Sequence, residues 1–262
     1  MRGRAVLRRP VPPWAVTGLA IGLVLAAWVA ATSGGLVSDL FLPGPADLWQ
    51  GFEELAQYGY KGRSLLDHAG LSLMRVGAGF LTGALVGTGL GLGMGYAPRL
   101  DALAAPFIEF LRPLPQLAYL VLLIIWLGIG ETSKITMLFL AALPVSAVAA
   151  RDGVRNVPEA RLRAARALGA SSWQVFRYVV APSALPEILT GARLSLGIVY
   201  ATLIAAEIIA GASGIGWMIL DAGRTLRSDY VFVGILLIGL VGIALDRTLL
   251  LLERRVVHWG GK

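Results

Sequence analysis

The chain has no cysteine, only two histidines and few charged side chains. Of its 262 residues, 15% are charged and 56% are hydrophobic. Without cysteine, neither a disulfide framework nor a thiolate metal site can form. His68 and His258 are too far apart in sequence to suggest a metal centre. The excess of apolar residues over charge is typical of a membrane protein rather than of a soluble domain.

Motifs for chemistry within the chain are also missing. There is no Gly-rich loop followed by Lys-Ser/Thr that could hold nucleotide phosphates. There is no Ser or Asp motif at membrane depth and no pair of histidines, which disfavours an intramembrane enzyme. The sequence therefore predicts a protein that is not itself an enzyme, with no catalytic, cofactor-binding or metal-binding residues.

The net charge of +7 has two explanations. Nucleic-acid binding is one, and positively charged flanks of membrane spans are the other. Because the arginines lie mostly in loops between apolar segments, the second explanation is better. We expect the lipid bilayer, and not nucleic acid, as a partner.

Six segments are apolar over roughly 20 residues, enough to cross about 30 Å of hydrocarbon. The sequence therefore predicts an all-α membrane protein with one six-helix domain over residues 14–252. A segment 1–13 precedes this domain, and a basic tail, 253–262, follows it. The six predicted spans are 14–32, 69–96, 101–128, 134–150, 184–209 and 230–252.

The distribution of arginine and lysine predicts the topology. Basic residues are concentrated before the first span, in the loop at about 151–183 and in the tail, whereas loop 33–68 is mainly acidic. We expect both termini and the 151–183 loop in the cytoplasm. A cleaved signal peptide at the N-terminus is the alternative, but the first apolar run is long enough to remain as a span.

A glycine stripe occupies the second span. Gly79, Gly83, Gly87, Gly91 and Gly95 recur every four residues and so lie near one helical face. Small residues let helix backbones approach closely in lipid. The stripe indicates either a tightly packed bundle helix or a sliding surface between helices that move.

Ionisable residues inside spans are costly and are candidates for function. They are Arg75, Glu109, Arg112, Arg193 and Glu207. Ion pairing, for example of Glu109 with Arg112, or anchoring at the membrane surface would explain them equally well. Glu207 lies about 30 Å along its helix from Glu187, at 1.5 Å per residue, and is expected near the outer surface.

The third span is interrupted at Arg112-Pro113-Leu114-Pro115. Proline removes a helical donor and clashes with the preceding turn, and broken backbone at membrane depth is tolerated only against protein or a cavity. A structural kink without a pathway is the alternative. Our candidates for a pathway or gate are Arg112, Pro113, Pro115, Arg193 and Glu207.

A polar, arginine-rich segment, residues 163–186, lies between very apolar ones. It predicts a short helix over 158–168, a stop at Gly169, a second short helix, and a new helix at Pro186. Glycine after the last helical turn readily adopts the left-handed conformation that ends a helix. Such an element is suited to docking a soluble partner. An amphipathic segment lying on anionic lipid is the alternative.

The order Ala164-Ala165, Gly169, Leu185-Pro186 resembles the cytoplasmic "EAA" loop of ABC-importer permeases of type I. Five further segments resemble the nitrate/sulfonate/taurine branch of that family. They are Phe41-Leu42-Pro43-Gly44-Pro45 and residues 112–119, 126–134, 186–194 and 205–207. The resemblance implies that a coupling helix contacts an ATPase through Glu159, Arg163, Ala164, Ala165, Leu168, Gly169, Ala170 and Ser171. Many members carry glutamate at the position of Arg163, so an ion pair with the ATPase is not carried over; Glu159, one turn earlier, is a possible substitute.

The same resemblance implies the partners. Two copies of the chain, or one copy and a paralogue, would form the pore in a bacterial inner membrane. Two separate ATPase subunits would hold the ATP and magnesium. A periplasmic or lipid-anchored binding protein would deliver substrate to loops 33–68 and 211–229.

The expected substrate is a small organic anion or zwitterion, with taurine or another sulfonate preferred. Nitrate, bicarbonate or another small solute is the alternative within the family. An ion-driven secondary transporter using Glu109 and Glu207 as carriers is the alternative outside it, although no inverted repeats are visible.

Overall fold

The computed structural model describes residues 12–257, and the regular elements in that range are helical. The predicted N-terminal segment up to residue 11 and the tail beyond residue 257 lie outside the described residues. The helices are α1 (Pro13–Ser33), α2 (Pro45–Tyr58), α3 (Leu65–Tyr96), α4 (Pro98–Leu111), α5 (Gln116–Leu127), α6 (Glu131–Arg155), α7 (Glu159–Ala167), α8 (Ser172–Val175), a π-helical turn (Phe176–Val180), α9 (Ala181–Ala210), α10 (Ile215–Arg224) and α11 (Ser228–Val256).

The predicted all-α membrane fold is confirmed. Five long helical stretches, those containing α1, α3, α6, α9 and α11, are long and apolar enough to cross a membrane. Helices α4 and α5 form a sixth candidate if the two are counted as one bent span. The shorter helices α2 and α10 occupy the two loops, 33–68 and 211–229, in which the sequence pattern predicted no element.

The third predicted span is broken where its prolines stand. Helix α4 ends at Leu111, Pro115 precedes α5, and the two helix axes differ in direction by 101°. Pro113 and Pro115 have no backbone N–H to donate to a preceding turn. Arg112 keeps helical backbone with φ −59° and ψ −47°, whereas Pro115 is extended with φ −61° and ψ 124°, so the chain changes direction by the second proline.

A new helix at Pro186 was a wrong prediction. The chain is helical from Ser172 to Ala210, through the π-helical turn and past both Pro182 and Pro186. Pro182 comes directly after the π-helical turn Phe176–Val180, so its missing N–H coincides with a local departure from α-helical hydrogen bonding. Proline inside a membrane helix is tolerated when neighbouring helices and local π-type adjustments satisfy the freed carbonyls. Only the stop at Gly169 interrupts the segment.

Helix α3 packs along α6, and α6 in turn packs along α9. The glycine stripe of α3 faces α6: a Cβ built on any of its five glycines would be in close contact with α6 atoms. Small residues therefore let these two backbones approach closely. The α6 residues nearest to the five positions are Leu138, Phe139, Leu143, Ala147 and Val154.

The bundle has two dissimilar ends. We call one the α10 end, where α10 packs against α3, α9 and α11, and α2 packs against α11. Its core contains Leu55, Tyr60, Leu65, Ile215, Met218, Ala222 and Val233. We call the other the α7 end, where α7, α8 and the π-helical turn project from the ends of α3 and α6. Its core is smaller, with Val154, Val157, Val175, Val180 and Ala184.

Candidate functional site

We call residues 168–171, which connect α7 to α8, the elbow. Gly169 ends the α7 side of it. Its φ is +81°, the left-handed region that L side chains rarely adopt. The Gly169 N–H donates to the Arg166 carbonyl at 2.9 Å, and the Ala170 N–H donates to the Ala165 carbonyl at 3.1 Å. These bonds satisfy carbonyls that the helix end would otherwise leave open. The elbow therefore has a defined shape, not only a flexible turn.

Helix α8 begins with its own cap. The Gln174 N–H donates to the Ser171 hydroxyl at 3.3 Å, and the Ser171 N–H donates to the Gln174 side-chain oxygen at 2.8 Å. This reciprocal pair is a capping box, which fixes where a helix starts. Together, the glycine stop and the capping box hold α7 and α8 at a set angle.

The outer face of the elbow is open to solvent. Helix α7 has no buried residue, and Leu168 at its tip is 88% exposed. Glu159 and Arg163 pair at 3.8 Å one turn apart, and both are exposed, so this pair contributes little to stability. A strongly exposed leucine at the end of an arginine-rich helix is suited to contact with a protein partner.

The inner face of the elbow attaches to the bundle. Leu162, Ala165 and Ala170 pack against the small core at this end. Tyr96, the last residue of α3, donates its hydroxyl to the Ser172 carbonyl at 3.3 Å, and its ring packs edge-on against Phe176. Sequence reasoning did not find Tyr96. The contact connects the elbow directly to the helix that carries the glycine stripe.

The broken span borders a second candidate site. A cleft of about 480 Å³ lies between the α4–α5 break and the facing surfaces of α6 and α9. Arg112 is exposed and lines it, with Gln116 beside the break and Gly191 on α9. Pro113 and Pro115 are exposed and set the direction of the break, but they are not among the lining residues.

Two other charged candidates lie elsewhere. Glu109 does not pair with Arg112, as one alternative expected; its carboxylate is 3.5 Å from the guanidinium of Arg151. The Arg193 guanidinium is held by Asp246 at 2.8 Å and is 3.7 Å from Glu253, both on α11. Arg193 therefore faces α11, away from the cleft that Arg112 lines.

Glu207 lies in a buried polar network at the α10 end. The Arg75 Nη1 donates to the Glu207 carboxylate at 2.6 Å, and both side chains are fully buried. The Ser72 hydroxyl and the Gly216 N–H also donate to this carboxylate, at 2.8 and 2.9 Å. Glu207 was predicted near the outer surface. It lies close to the C-terminal end of α9, but its side chain is buried in the interior of the bundle.

The network extends to the loop after α9. Arg75 also donates to the Ser213 carbonyl at 2.9 Å and to its hydroxyl at 3.0 Å. The Gly214 N–H donates to Nδ1 of the buried His68 at 3.1 Å, and His68 Nε2 lies 3.2 Å from the Tyr60 carbonyl. These bonds assign the proton of the neutral ring to Nε2, because Nδ1 must accept. They fix the 211–214 loop over Glu207.

Arg75 has a second carboxylate partner, at the start of α6. Its Nε and Nη2 donate to the two oxygens of Glu131 at 2.6 and 2.8 Å. Arg75 thus connects α3, α6, α9 and the loop after α9. The sequence identified Arg75 as costly within a span, and such an arginine requires a counterion. It could not identify Glu131, Ser72, Ser213 and His68 as members of the same network.

Solved structures share this arrangement of helices. The chain superposes on a chain of the MetNI methionine ABC transporter, crystallised in inward-facing conformations, with a TM-score of 0.60 over 73% of this chain and 95% of the other, at 22% identity. A chain from an amino acid ABC transporter gives a TM-score of 0.59 over 72% and 92%, at 23% identity. At these identities the likeness establishes the fold. The class is therefore a multi-pass helical membrane subunit with the fold of an ABC-importer permease.

Sequence similarity assigns the family within that class. Residues 70–258 match the family described as binding-protein-dependent transport system inner membrane component, and the chain belongs to that family. It is 40% identical over 243 residues to the Escherichia coli K12 taurine transport system permease protein TauC, covering 92% of this chain and 88% of TauC. It is 35% identical to a putative aliphatic sulfonates permease, SsuC, of Bacillus subtilis over 90% and 84%, and 32% identical to the bicarbonate permease CmpB of Synechococcus elongatus over 89% and 86%.

Family membership decides several predictions. The chain is the permease subunit of an ABC importer in the inner membrane, and the ATPase and the binding protein are separate subunits. Cofactor chemistry belongs to the ATPase and not to this chain. The ion-driven secondary transporter was therefore a wrong alternative, and Glu207 is not a proton or sodium carrier of that class.

Proposed function

We propose that this chain is the permease of an importer for taurine or a closely related small sulfonate. The 40% identity to TauC over 92% of the chain supports this substrate class, as do the two aliphatic sulfonate permeases at 35% and 36% identity. Bicarbonate, the substrate named for CmpB, is less well supported at 32%. Nitrate, the other alternative within the family, is not the substrate named for any of the relatives described above.

The exposed elbow is the surface that we propose contacts the ATPase. The ATPase would contact Leu168 and the exposed residues near it in sequence. These residues are Glu159, Arg163, Ala164 and Ser171. Ala165 and Ala170 would transmit the movement, because they pack against the core behind the elbow. An 88% exposed leucine on a helix without buried residues is stabilised most simply by a partner groove.

This assignment implies an orientation in the membrane. The α7 end would face the cytoplasm with both termini, and the α10 end would face the binding protein. The arginine distribution supports the same orientation. Loops 33–68 and 211–229, which hold α2 and α10, would then receive the substrate-loaded binding protein.

Two copies of the chain would form the pore, with the cleft at the break facing the second copy. Arg112 would line the pathway, and Pro113 and Pro115 would hold the broken helix open beside it. Arg193 would stabilise the contact between α9 and α11, since its two partners lie there. The glycine stripe would be a close-packed seam, with α3 and α6 moving as one body.

Purification of the tagged chain from its native membranes in mild detergent tests this function. We expect an ATPase to co-elute at one copy per chain, and its hydrolysis to rise when taurine-loaded binding protein is added. Stimulation by other loaded binding proteins but not by taurine-loaded protein would contradict the substrate assignment. Absence of a co-eluting ATPase would contradict the coupling assignment.

A further inference from the structure

Two buried cations converge on one carboxylate at the α10 end. Glu131 accepts from Arg75 Nε and Nη2 at 2.6 and 2.8 Å, and Lys134 Nζ lies 3.3 Å from the same carboxylate. The Arg75 side chain is fully buried and that of Lys134 is 5% exposed, whereas the side chain of Glu131 is 44% exposed. The carboxylate is therefore the part of this cluster that solvent reaches.

The charge balance of the cluster depends on Glu131. With it, two positive groups face two carboxylates, Glu131 and Glu207. Without it, Glu207 still pairs with Arg75, and the buried Lys134 loses the carboxylate that it contacts. A parallel pair of guanidinium N–H groups matches the oxygens of a carboxylate or another oxyanion. An anion with at least two oxygens could replace the Glu131 carboxylate on the same donors.

The position of Glu131 allows it to move without unfolding a helix. It is the first residue of α6 and follows Gly128 and Gly130. Gly128 has a φ of +82°, and no atom outside its neighbours lies within 4 Å of a Cβ built on either glycine. Movement of this side chain would leave Arg75 held by Glu207 and Ser213.

The cluster also lies above the cleft at the broken span. Lys134 and Ala141 are seven residues apart on α6, about 10 Å along the axis and nearly on the same face. Ala141 and Val148, a further seven residues on, both line the cleft that Arg112 borders. The face of α6 that carries Lys134 therefore continues, past the buried Met137 and Leu138, to residues that line the cleft.

We propose that Arg75 and Lys134 form an entry site for the anionic group of the substrate, and that Glu131 occupies this site while substrate is absent. The inference rests on the proposed function for its substrate class, a small sulfonate. Taurine carries an ammonium as well as a sulfonate. Its sulfonate would take the place of the Glu131 carboxylate, and the displaced carboxylate would receive the ammonium. Glu131 would then favour taurine over a sulfonate without an amine.

The absence of cysteine from this chain permits a test that needs no transport. Glu131→Cys carries a single thiol, and its rate of modification by an anionic reagent, 2-sulfonatoethyl methanethiosulfonate, is compared with that of the cationic trimethylammonioethyl analogue. We expect the anionic-to-cationic rate ratio to exceed that of the neighbouring exposed control Ile129→Cys by about tenfold. Adding Lys134→Gln to Glu131→Cys should remove most of this preference. Equal ratios at the two cysteine positions would overturn the proposal.

Glu131→Gln in the reconstituted importer provides a second readout. At saturating loaded binding protein, uptake of taurine relative to ethanesulfonate should fall about threefold or more. Asp246→Asn is the matched control, since Asp246 is also a partly exposed carboxylate that accepts from an arginine, Arg193, but lies outside this cluster and outside loops 33–68 and 211–229; its ratio should equal that of the unaltered protein. An unchanged ratio in Glu131→Gln would contradict the role of Glu131. If the unaltered importer moves neither sulfonate, the proposed substrate class is wrong, and the thiol-labelling ratio still decides the anion site.

Discussion

The two ends of the bundle differ in whether their most distinctive side chains find partners within the chain. At the α10 end, Arg75 and Glu207 are fully buried, and the side chains and the loop around them supply hydrogen bonds to both. At the α7 end, Leu168 is 88% exposed, and the Glu159–Arg163 pair lies in solvent. The buried polar network at the first end is complete within one chain. The second end leaves Leu168 uncovered within the chain, as the proposed contact with the ATPase would require.

This difference predicts different responses to mutation. At the complete end, removing one member leaves a buried group without its partner, and stability falls. At the incomplete end, a substitution costs little stability but removes the surface that a partner needs. The following predictions test this contrast, in order of decreasing effect on the free energy of unfolding.

Arg75→Met should have the largest effect. It leaves the buried Glu207 carboxylate without a cation, and breaking a buried ion pair on one side costs about 3–5 kcal/mol. Thermal unfolding of the purified protein in detergent measures the loss. The matched control is Arg193→Met, because Arg193 is partly exposed and its partners can be hydrated; it should cost less than about 1 kcal/mol. Equal losses for the two variants would contradict the contrast.

Gly87→Leu should have the second-largest effect on stability. It tests the close contact between α3 and α6, which runs from one end of the bundle to the other. A Cβ at Gly87 would be in close contact with the Leu143 carbonyl and the Ser146 side chain on α6, and overpacking costs about 1–3 kcal/mol or more. Gly89→Leu is the control on the same helix, since no such atom lies within 4 Å of a Cβ there. Unfolding temperature should fall for Gly87→Leu only. A stable, transporting Gly87→Leu protein would show that the seam is not close-packed.

Gly169→Asp should cost stability only slightly and abolish coupling. A non-glycine residue in the left-handed region costs about 1–2 kcal/mol, and aspartate would also place a charge beside Leu168. We expect an inserted, folded protein whose co-purified ATPase is lost or no longer stimulated by loaded binding protein.

The control for this variant lies at the other end of the molecule. Gly62 has a φ of +80° and the same open surroundings as Gly169. Gly62→Asp should have a similar effect on stability and should retain the ATPase. Loss of the ATPase from both variants would show that backbone strain, not the elbow surface, decides the result.

The smallest expected change in the free energy of unfolding concerns a surface ion pair at the α10 end and its dependence on pH. Lys61 and the Tyr60 hydroxyl both contact the Asp221 carboxylate, at 2.6 and 2.8 Å, and these contacts hold the pKa of Asp221 below its usual range. The charged form is favoured in the folded state, so this stabilisation is present above about pH 4 and is lost as pH falls further.

Lys61→Met should reduce that dependence and cost under about 1 kcal/mol at neutral pH. Unfolding temperatures at pH 7 and pH 4 measure it. On the alkaline side, burial raises the pKa of Tyr60 to about 12. Its contribution is therefore complete below about pH 10 and is lost as pH rises towards about 12. An Asp221 contribution that grew as pH fell would contradict the assignment.

The sequence predicted the helices well because a membrane restricts the choices. About 20 apolar residues are needed to cross hydrocarbon, and only satisfied backbone is allowed inside it. The predicted spans 14–32 and 69–96 therefore agree closely with α1 and α3. The prolines after Arg112 correctly predicted a break, but not its angle. Pro186 was misleading, since a proline inside a long membrane helix does not have to end it.

The elbow could be anticipated in part for a local reason. The left-handed backbone at Gly169 and the capping box at Ser171 depend on residues within a few positions of one another. The contact from Tyr96 could not be anticipated, because it joins residues 76 positions apart. Which face of α7 stays exposed also depends on the core behind it.

The sequence by itself determined that this chain spans a membrane through helices, that the 158–171 segment is exceptional, and that Arg75 requires a counterion. Each of these follows from local composition and from the cost of exposing charge or open backbone to lipid. Only the tertiary structure decided that the counterions are Glu207 and Glu131, that Arg193 faces α11, and that the glycine stripe faces α6. Those pairings join residues from distant parts of the chain, and only packing brings them together.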